Sequence, residues 1–359
     1  MALAVPPDGG SAQAETRRLP RRAAATLPVA QPKLTVVIVN FCQWQNTARL
    51  TKQLRRSIAC REGLAEVVVV DNDSPKSRIT NKLRKLSGVR MHQFDRNTGF
   101  ATAVNKGADI TCGDWMLLLN PDVTVADGFL DDLISVAERY PQIDANTGVI
   151  GLKLHNRDGT LQASAGTFPT FLGTATRLAL PRSRRKCQHR NGEQRQRVEW
   201  VTGGCMLLRR NCFEQLRGLD ERFFLYYEDV DFCRRATEAG WSVWYEPSLS
   251  VTHHWPLHAR NVPAPLRLMT RHALLTYATK HWPRWQLRLL ASVVKLESRL
   301  RSAFAKQRGD TVATDCYREL RHLVGDLLHG DTAAADVRVR RAASYLSAIS
   351  AAQDDRTTV

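Results

Sequence analysis

The chain has 359 residues, 43% hydrophobic and 24% charged, with 52 Lys and Arg against 35 Asp and Glu, a formal charge of +17 and a pI near 9.9. That balance suits one large or two modest folded domains and excludes a wholly disordered or collagen-like chain. The charge is local: residues 1–33, 182–197 and 280–308 carry +3, +6 and +7, and the rest is close to neutral, which argues against a globally basic fold.

Residues 1–33, rich in Ala, Pro and Arg, read as a disordered basic extension. Pro6, Pro7, Gly9 and Gly10 interrupt any apolar targeting core, and Asp8 and Glu15 count against a transit peptide. LTVVIVNFC (34–42) reads as a buried strand, followed by a helix-spaced TARLTKQLRRSI. EVVVVD (66–71) is a second strand, and its β-branched run predicts burial on both faces. DNDSPKS turns into another helix, VRMHQF (89–94) is a third strand, and DRNTGFATAVNKGAD is a loop opening a helix. WMLLLN (115–120) is a fourth strand, closed by Pro121-Asp122. This succession predicts an α/β fold, a Rossmann-like parallel sheet with helices on both faces. Farther on, VIGLKL (149–154) and VEWVTGGCMLLRR (198–210) read as strands, EDVDFCRRATEAG (228–240) as a helix, and WSVWYEP and SLSVTHH as two short strands. From Pro265 the patterns are helical. No run approaches the roughly 20 apolar residues of a membrane span. The eight cysteines fall in no metal-ligand spacing and read as reduced, mostly buried thiols of a cytosolic protein.

Chemistry concentrates at strand ends. Asn40, Asp71 with Asn72, Asn97, and Asn120 with Asp122 stand at the carboxyl ends of the four strands, where open parallel sheets bind ligands. Turn formation explains one such residue well, and all four together less well. A strand-end carboxylate suits a divalent cation, which can neutralise a departing diphosphate. A second carboxylate from another element, here among Glu228, Asp229 and Asp231, suits a general base. NTGFATAVNKG contains no GxGxxG, which argues against a dinucleotide cofactor.

The order VVIVNF, VVVVDN, NTGFATAVNKG, LLLNPDV, WVTGGCMLLRR, GLDERFFLYYEDVDFCRR and P-x-x-x-V-x-HH resembles family 2 glycosyltransferases of the GT-A fold. Within them it is most similar to the rhamnosyltransferase branch of bacterial cell-surface polysaccharide synthesis, over roughly 34–285. The resemblance implies a GT-A domain over 34–264, with a mixed, mainly parallel sheet; the helical patterns beyond it form a helical C-terminal region over 265–359. It implies that Asn40, Asp71, Asn72, Asn97, Gly99, Asn105 and Asn120 bind the nucleotide sugar. Asn120-Pro121-Asp122 takes the place of the family's DxD, so Asp122, with His253, would hold Mg2+ or Mn2+. Asp229 would be the catalytic base, and Trp200, Gly203, Gly204 and Glu228 would shape the acceptor and leaving-group side. The implied reaction is an inverting transfer of L-rhamnose from dTDP-L-rhamnose, or of another dTDP- or UDP-linked sugar. The acceptor would be a saccharide, free or on a polyprenyl diphosphate, and the place the cytoplasm or the inner face of the plasma membrane. The chain departs from the family pattern at DNDSPK, where DNGSTD is usual, and at HHWPLHAR, which leaves His253 and His254 both open.

Two basic segments lie outside these motifs. On 285–306, Trp285, Leu289, Val293, Leu296, Leu300 and Phe304 share one helix face, and Arg284, Arg288, Lys295 and Arg299 another. Such a helix is expected either at an anionic membrane surface or packed on its own domain or a second subunit. Segment 182–197 reads as a loop that meets a diphosphate or is simply solvated. Helical patterns over 312–328 and 333–351 are candidates for homodimer contacts. The basic runs lack a recognisable reading module, so no nucleic-acid partner is expected, and a silent scaffold would need loss of Asp71, Asp122 or Asp229, all present.

Overall fold

The computed structural model describes residues 31–179, 192–255 and 262–354. The expected N-terminal extension, most of the basic loop 182–197 and Cys187 lie outside the described residues.

The first half alternates as the sequence predicts. Strands β1 (Leu34–Asn40), β2 (Ala65–Asn72), β3 (Val89–Phe94) and β4 (Trp115–Leu119) are separated by helices α1 (Trp44–Leu54), α2 (Ile58–Arg61), α3 (Arg78–Arg84) and α4 (Phe100–Asp109). There follow β5 (Val123–Thr124), α5 (Phe129–Ile143), β6 (Thr147–His155), β7 (Leu161–Gln162), β8 (Ala165–Gly166), α6 (Phe171–Ala179), β9 (Gln196–Arg197), β10 (Trp200–Val201), β11 (Cys205–Arg209), α7 (Arg210–Gln215), α8 (Glu228–Glu238) and β12 (Ser242–His253). The main sheet runs β3-β2-β1-β4-β11-β6-β12-β5. The β3-β2-β1-β4 block is parallel, β11 is antiparallel to both neighbours, and β12 returns parallel to β6. β8 and β10 form a separate two-stranded sheet.

The period-two geometry of the strands sorts their side chains onto two faces. Val36, Ile38, Val67, Val69, Leu117 and Leu119 join α1 and α5 in one apolar layer, while Val37, Val39, Val68, Val70, Met116 and Leu118 join α4, α7 and α8 in the other. Helices therefore cover both faces, and this explains why the strands read as continuous apolar runs. WSVWYEP and SLSVTHH, expected as two strands, form the single β12. Its register against β6 shifts between Glu246 and Ser250, so the apparent break is a bulge rather than a chain reversal. Four of the seven cysteines among the described residues are buried and all seven are free thiols; Cys112 is exposed.

The C-terminal region comprises α9 (Ala264–His281), α10 (Arg284–Gln307), α11 (Thr311–His329) and α12 (Thr332–Asp354). Its core includes Leu268, Leu275, Leu290, Val294, Leu320, Val324 and Val339, and it is shared with Phe224 of the FFLYYED segment. The boundary expected at 264/265 thus falls at the start of α9, inside one continuous apolar cluster. Arg340 of α12 donates to the carbonyl of Asn97 at 2.7 Å and lies over the Phe224 ring. Asp231 of α8 binds Lys280 and His281 of α9, each at 2.7 Å.

Gly151 sets how close β10 comes to the sheet. A β-carbon at this buried position would overlap the Val201 side chain, a stiff β-branched neighbour. Gly151→Ala is expected to lower stability by about 1–3 kcal/mol in urea denaturation. Val201→Ala in the same chain should recover part of that loss; no recovery would show that the close approach is not what Gly151 serves.

Candidate functional site

The order of the parallel strands reverses at β1, which has β2 on one side and β4 on the other. Such a switch point opens a crevice beyond the strand ends. In register, Asn40 of β1 stands opposite Asp71 of β2. Both are fully buried and bonded to each other: Asn40 Nδ2 donates to Asp71 Oδ1 at 2.8 Å and to Ser74 Oγ at 2.9 Å, while Thr47 Oγ1 donates to Asn40 Oδ1 at 2.7 Å. The other Asp71 oxygen accepts from Gln93 Nε2 at 3.0 Å. Asn72 likewise turns inward, donating to Asn97 Oδ1 at 2.9 Å and accepting from the Thr98 amide at 2.8 Å. These side chains build the crevice wall by tying the β2 turn to the loop before α4.

That loop ends at Gly99, whose φ of 92° disfavours L side chains and whose missing β-carbon leaves room for the Phe224 carbonyl. The carbonyl accepts from the Phe100 amide at 2.7 Å. Asp73 occupies the usual glycine position of the β2 turn and takes φ 67°, a left-handed conformation that Asp tolerates. The departure from DNGSTD thus keeps the backbone of the turn while adding a carboxylate at its exposed tip. Asn105 does not join the crevice. Its amide bonds the Leu219 carbonyl, the Leu219 amide and Glu221, each at 2.9 Å, and so staples α4 to the turn at 218–221.

At the end of β4 the geometry distinguishes the two histidines. Successive side chains of β12 point to opposite sides. His253, buried, brings Nε2 to 3.4 Å from Asp122 Oδ1 and from Asn120 Nδ2. Its Nδ1 pairs with Gln162 Nε2 at 3.0 Å. His254 turns the other way, to Thr124 Oγ1 at 2.7 Å. The β5–β12 pairing, with His253 opposite Val123, holds Asp122 beside His253.

Asp229 lies in the first turn of α8, where the helix dipole favours anions. Its Oδ2 accepts from the Gly203 amide and its Oδ1 from the Val230 amide, both at 2.8 Å. The next residue, Gly204, faces the other cluster: a β-carbon there would lie 3.5 Å from Asn120 Nδ2 and 3.6 Å from His253 Cε1. The Gly204 carbonyl also accepts from the Asn120 amide at 3.1 Å. The Gly203-Gly204 turn therefore separates the Asp229 carboxylate from the Asn120–Asp122–His253 cluster by little more than one residue. Trp200, anchored by Nε1 to the Thr167 carbonyl at 2.8 Å, packs near Val230 at the edge of this turn.

Tyr226 and Tyr227, immediately before α8, adopt φ of 74° and 66°. Two consecutive bulky residues in the left-handed region are strained, by about 1–3 kcal/mol each, and such strain gathers at functional sites. No local sequence signal announced it.

The carboxylates of α8 differ in their surroundings. Burial pushes Glu228 well above the usual carboxylate range, and the neighbouring Asp229 charge pushes the same way. Its Oε2 has no hydrogen-bond partner among the described residues. Burial also raises Asp229, but the Gly203 and Val230 amides pull it back. Asp229 is thus the member of the pair that ionises first. For Asp231 the burial effect is outweighed by His281, Arg235 and Lys280, which hold it below the usual range. It is a structural anchor between α8 and α9.

Residues 32–274 match the model of the family described as "Glycosyltransferase like family 2". Among characterised proteins, the chain is 30% identical over 239 residues to the N-acetylglucosaminyl-diphospho-decaprenol L-rhamnosyltransferase of Mycobacterium tuberculosis, covering 62% of this chain and 76% of that one. It is 26% identical over 236 residues to the low-salt glycan biosynthesis hexosyltransferase Agl10 of Haloferax volcanii, covering 62% and 68% of the two chains. Rhamnosyltransferase WbbL of Escherichia coli is 26% identical over 165 residues, 46% of this chain and 61% of WbbL. The chain belongs to glycosyltransferase family 2, and it has the mixed, mainly parallel sheet with helices on both faces, followed by a helical C-terminal region, that the sequence leads one to expect.

The raised Glu228 carboxyl makes stability pH-dependent. A group whose folded pKa lies above its unfolded value stabilises fully below the unfolded pKa, and that contribution is lost as pH rises through the folded pKa. Glu228→Gln removes this penalty. The difference in Tm between variant and wild type should be small at and below the ordinary carboxylate range and grow in favour of the variant as pH rises above it. A difference independent of pH would contradict a Glu228 carboxyl raised by burial.

Proposed function

We propose that this glycosyltransferase moves L-rhamnose from dTDP-L-rhamnose to a saccharide hydroxyl on a polyprenyl-diphosphate carrier, with inversion at the anomeric carbon. The observation that carries the chemistry is the Gly203-Gly204 turn, with the Asp229 carboxylate on one side and Asn120, Asp122 and His253 on the other. The choice of donor and acceptor is supported by the L-rhamnosyltransferase of M. tuberculosis, whose name specifies an N-acetylglucosaminyl-diphospho-decaprenol acceptor. The same site suits another nucleotide sugar as donor, which the first experiment below distinguishes.

In this reading the donor lies beyond the ends of β1, β2 and β4. The Asn40–Asp71 and Asn72–Asn97 pairs shape the pocket for its nucleotide, and Gly99 lets the loop before α4 approach. Among the described residues no three His, Cys, Asp or Glu side chains cluster as a self-sufficient metal site. The pair Asp122 and His253 nevertheless fits Mg2+ or Mn2+. One carboxylate oxygen and one imidazole nitrogen, 3.4 Å apart, suit a cation that completes its shell with diphosphate oxygens and water. Asp122 and His253 would hold it; when bound, it supplies positive charge beside the leaving diphosphate.

Asp229 acts as the base. Each of its oxygens is oriented by one amide and keeps a second lone pair for an acceptor hydroxyl. As that hydroxyl oxygen bonds to the anomeric carbon, its proton passes to Asp229. The bond to the diphosphate oxygen breaks on the opposite side, and the nucleoside diphosphate leaves with the electron pair. Burial raises the Asp229 carboxyl, which brings its basicity closer to that of an efficient general base.

A panel of nucleotide sugars, each measured for binding and slow hydrolysis with and without Mg2+ or Mn2+, tests the donor. dTDP-L-rhamnose should give the largest thermal shift, and a stronger response to a UDP-sugar would transfer the assignment to that donor. Asp229→Asn should lower transfer by about 100- to 10,000-fold while leaving donor binding within twofold. Wild-type turnover in that variant would remove Asp229 from the role of base.

A further inference from the structure

Helix α10 buries a face that the heptad-like stripe of its sequence does not mark. Leu287, Leu290, Ala291, Val294, Ser298 and Ala305 pack toward α9 and α11. The stripe itself faces solvent: Trp285 is 58% exposed, Leu289 48%, Val293 40%, Leu296 56%, Leu300 55% and Phe304 63%. At about 100° per residue these six side chains fill one sector about 100° wide, and the stripe runs about 28 Å along the helix. Leu172 of α6, 72% exposed, extends it, since its neighbour Phe171 meets the Trp285 ring edge-on at 6.1 Å.

Charge lies beside the stripe. Arg284, Arg288, Lys295, Arg299 and Lys306 occupy the adjoining sector, about 60° wide on the same helical geometry. All but the half-buried Lys295 are exposed, and none forms an ion pair among the described residues. The helix has a single acid, Glu297, which is taken up by Arg267, Arg271 and Arg301. So the outward side of α10 is an apolar band edged by cations with no acid on it.

We infer that the outward face of α10 docks this protein on an anionic lipid bilayer, with the band at the acyl boundary and the cations against the headgroups. The helix lies along the surface rather than through it, because its opposite face is committed to the protein core. Among the described residues no helix is long and apolar enough to cross a membrane. Charge complementarity selects this occupant over a second copy of the chain. Packing stripe on stripe would gather both sets of cations at one contact with no acid on the exposed face to offset them, whereas each cation near an anionic leaflet strengthens binding about fivefold. The inference does not depend on which sugar is transferred.

The test is co-sedimentation of the full chain with vesicles of phosphatidylcholine alone or with about a quarter phosphatidylglycerol, in the absence of any nucleotide sugar. Binding should require phosphatidylglycerol and weaken with added salt. Arg288→Gln/Arg299→Gln should bind roughly 30-fold more weakly, and Leu296→Glu/Leu300→Glu should fall to the level seen on phosphatidylcholine. Both pairs are on the exposed side, so wild-type circular dichroism and Tm should be retained, and transfer to a lipid-free saccharide should be unchanged. Failure of the wild type to bind anionic vesicles, or undiminished binding by the leucine variant, overturns the inference. So does a dimer that forms without vesicles and is dissociated by Leu296→Glu/Leu300→Glu, because the stripe would then belong to a second copy. Vesicle binding without rhamnose transfer would leave this surface standing and reject only the donor assignment.

Discussion

The Gly203 amide donates to Asp229, and one residue later the Gly204 carbonyl accepts from the Asn120 amide. A two-residue turn thus fixes the distance between the proposed base and the cluster proposed to face the diphosphate. A β-carbon at Gly204 would just touch Asn120 and His253, at 3.5 and 3.6 Å. Side chains extending beyond a β-carbon at this turn would reach into the space between the two groups proposed to act on one sugar. Much of the surrounding fold serves to hold this turn. Gly151 lets Val201 of β10 settle onto the sheet, β11 leads away between β4 and β6, and β12 returns to deliver His253 beside Asp122.

The crevice is built from polar groups that are mostly bonded to one another. Asn40, Asp71 and Asn72 are buried and engaged, which stiffens the wall against which a nucleotide would lie. Glu228 is the exception. A buried carboxyl with an unpartnered oxygen beside Asp229 costs stability at neutral pH, and such costs persist where the neighbouring structure overrides them. The consecutive left-handed tyrosines before α8 store strain at the same place. The C-terminal helices reinforce this region: α9 grips Asp231, and Arg340 of α12 reaches the Asn97 carbonyl in the loop before α4. The helical region is therefore part of the site's support as well as an appendage to it.

The net charge of +17 takes on a different meaning once it is placed. Outside residues 182–197 the sheet domain is nearly neutral, and it places Asp71, Asp122 and Asp229 around the crevice. A large share of the excess sits on α10, next to an exposed apolar band. For the proposed lipid-linked acceptor the crevice would have to lie near a bilayer, and the docking inferred for α10 would hold it there without a membrane span.

How much of this was legible in the sequence depended on the range of the interaction. β-branched runs, polar strand ends and the 3.6-residue period of α10 are signals among near neighbours in the chain. They determined the parallel sheet, the crevice at the ends of β1, β2 and β4, the place of Asp229 at a helix start, and the family resemblance. Tertiary structure alone decided the rest. It turned His253, not His254, toward Asp122, diverted Asn105 to a staple, and joined two apparent strands into β12. It also chose Leu287, Leu290 and Val294 as the buried face of α10 and left the more regular stripe in solvent. The deciding contacts link residues 26 apart for Gly203 and Asp229, 133 for Asn120 and His253, and 243 for Arg340 and Asn97. No local periodicity encodes such separations. They are set by strand register and by which apolar faces find a partner, and both become defined only when the whole chain packs.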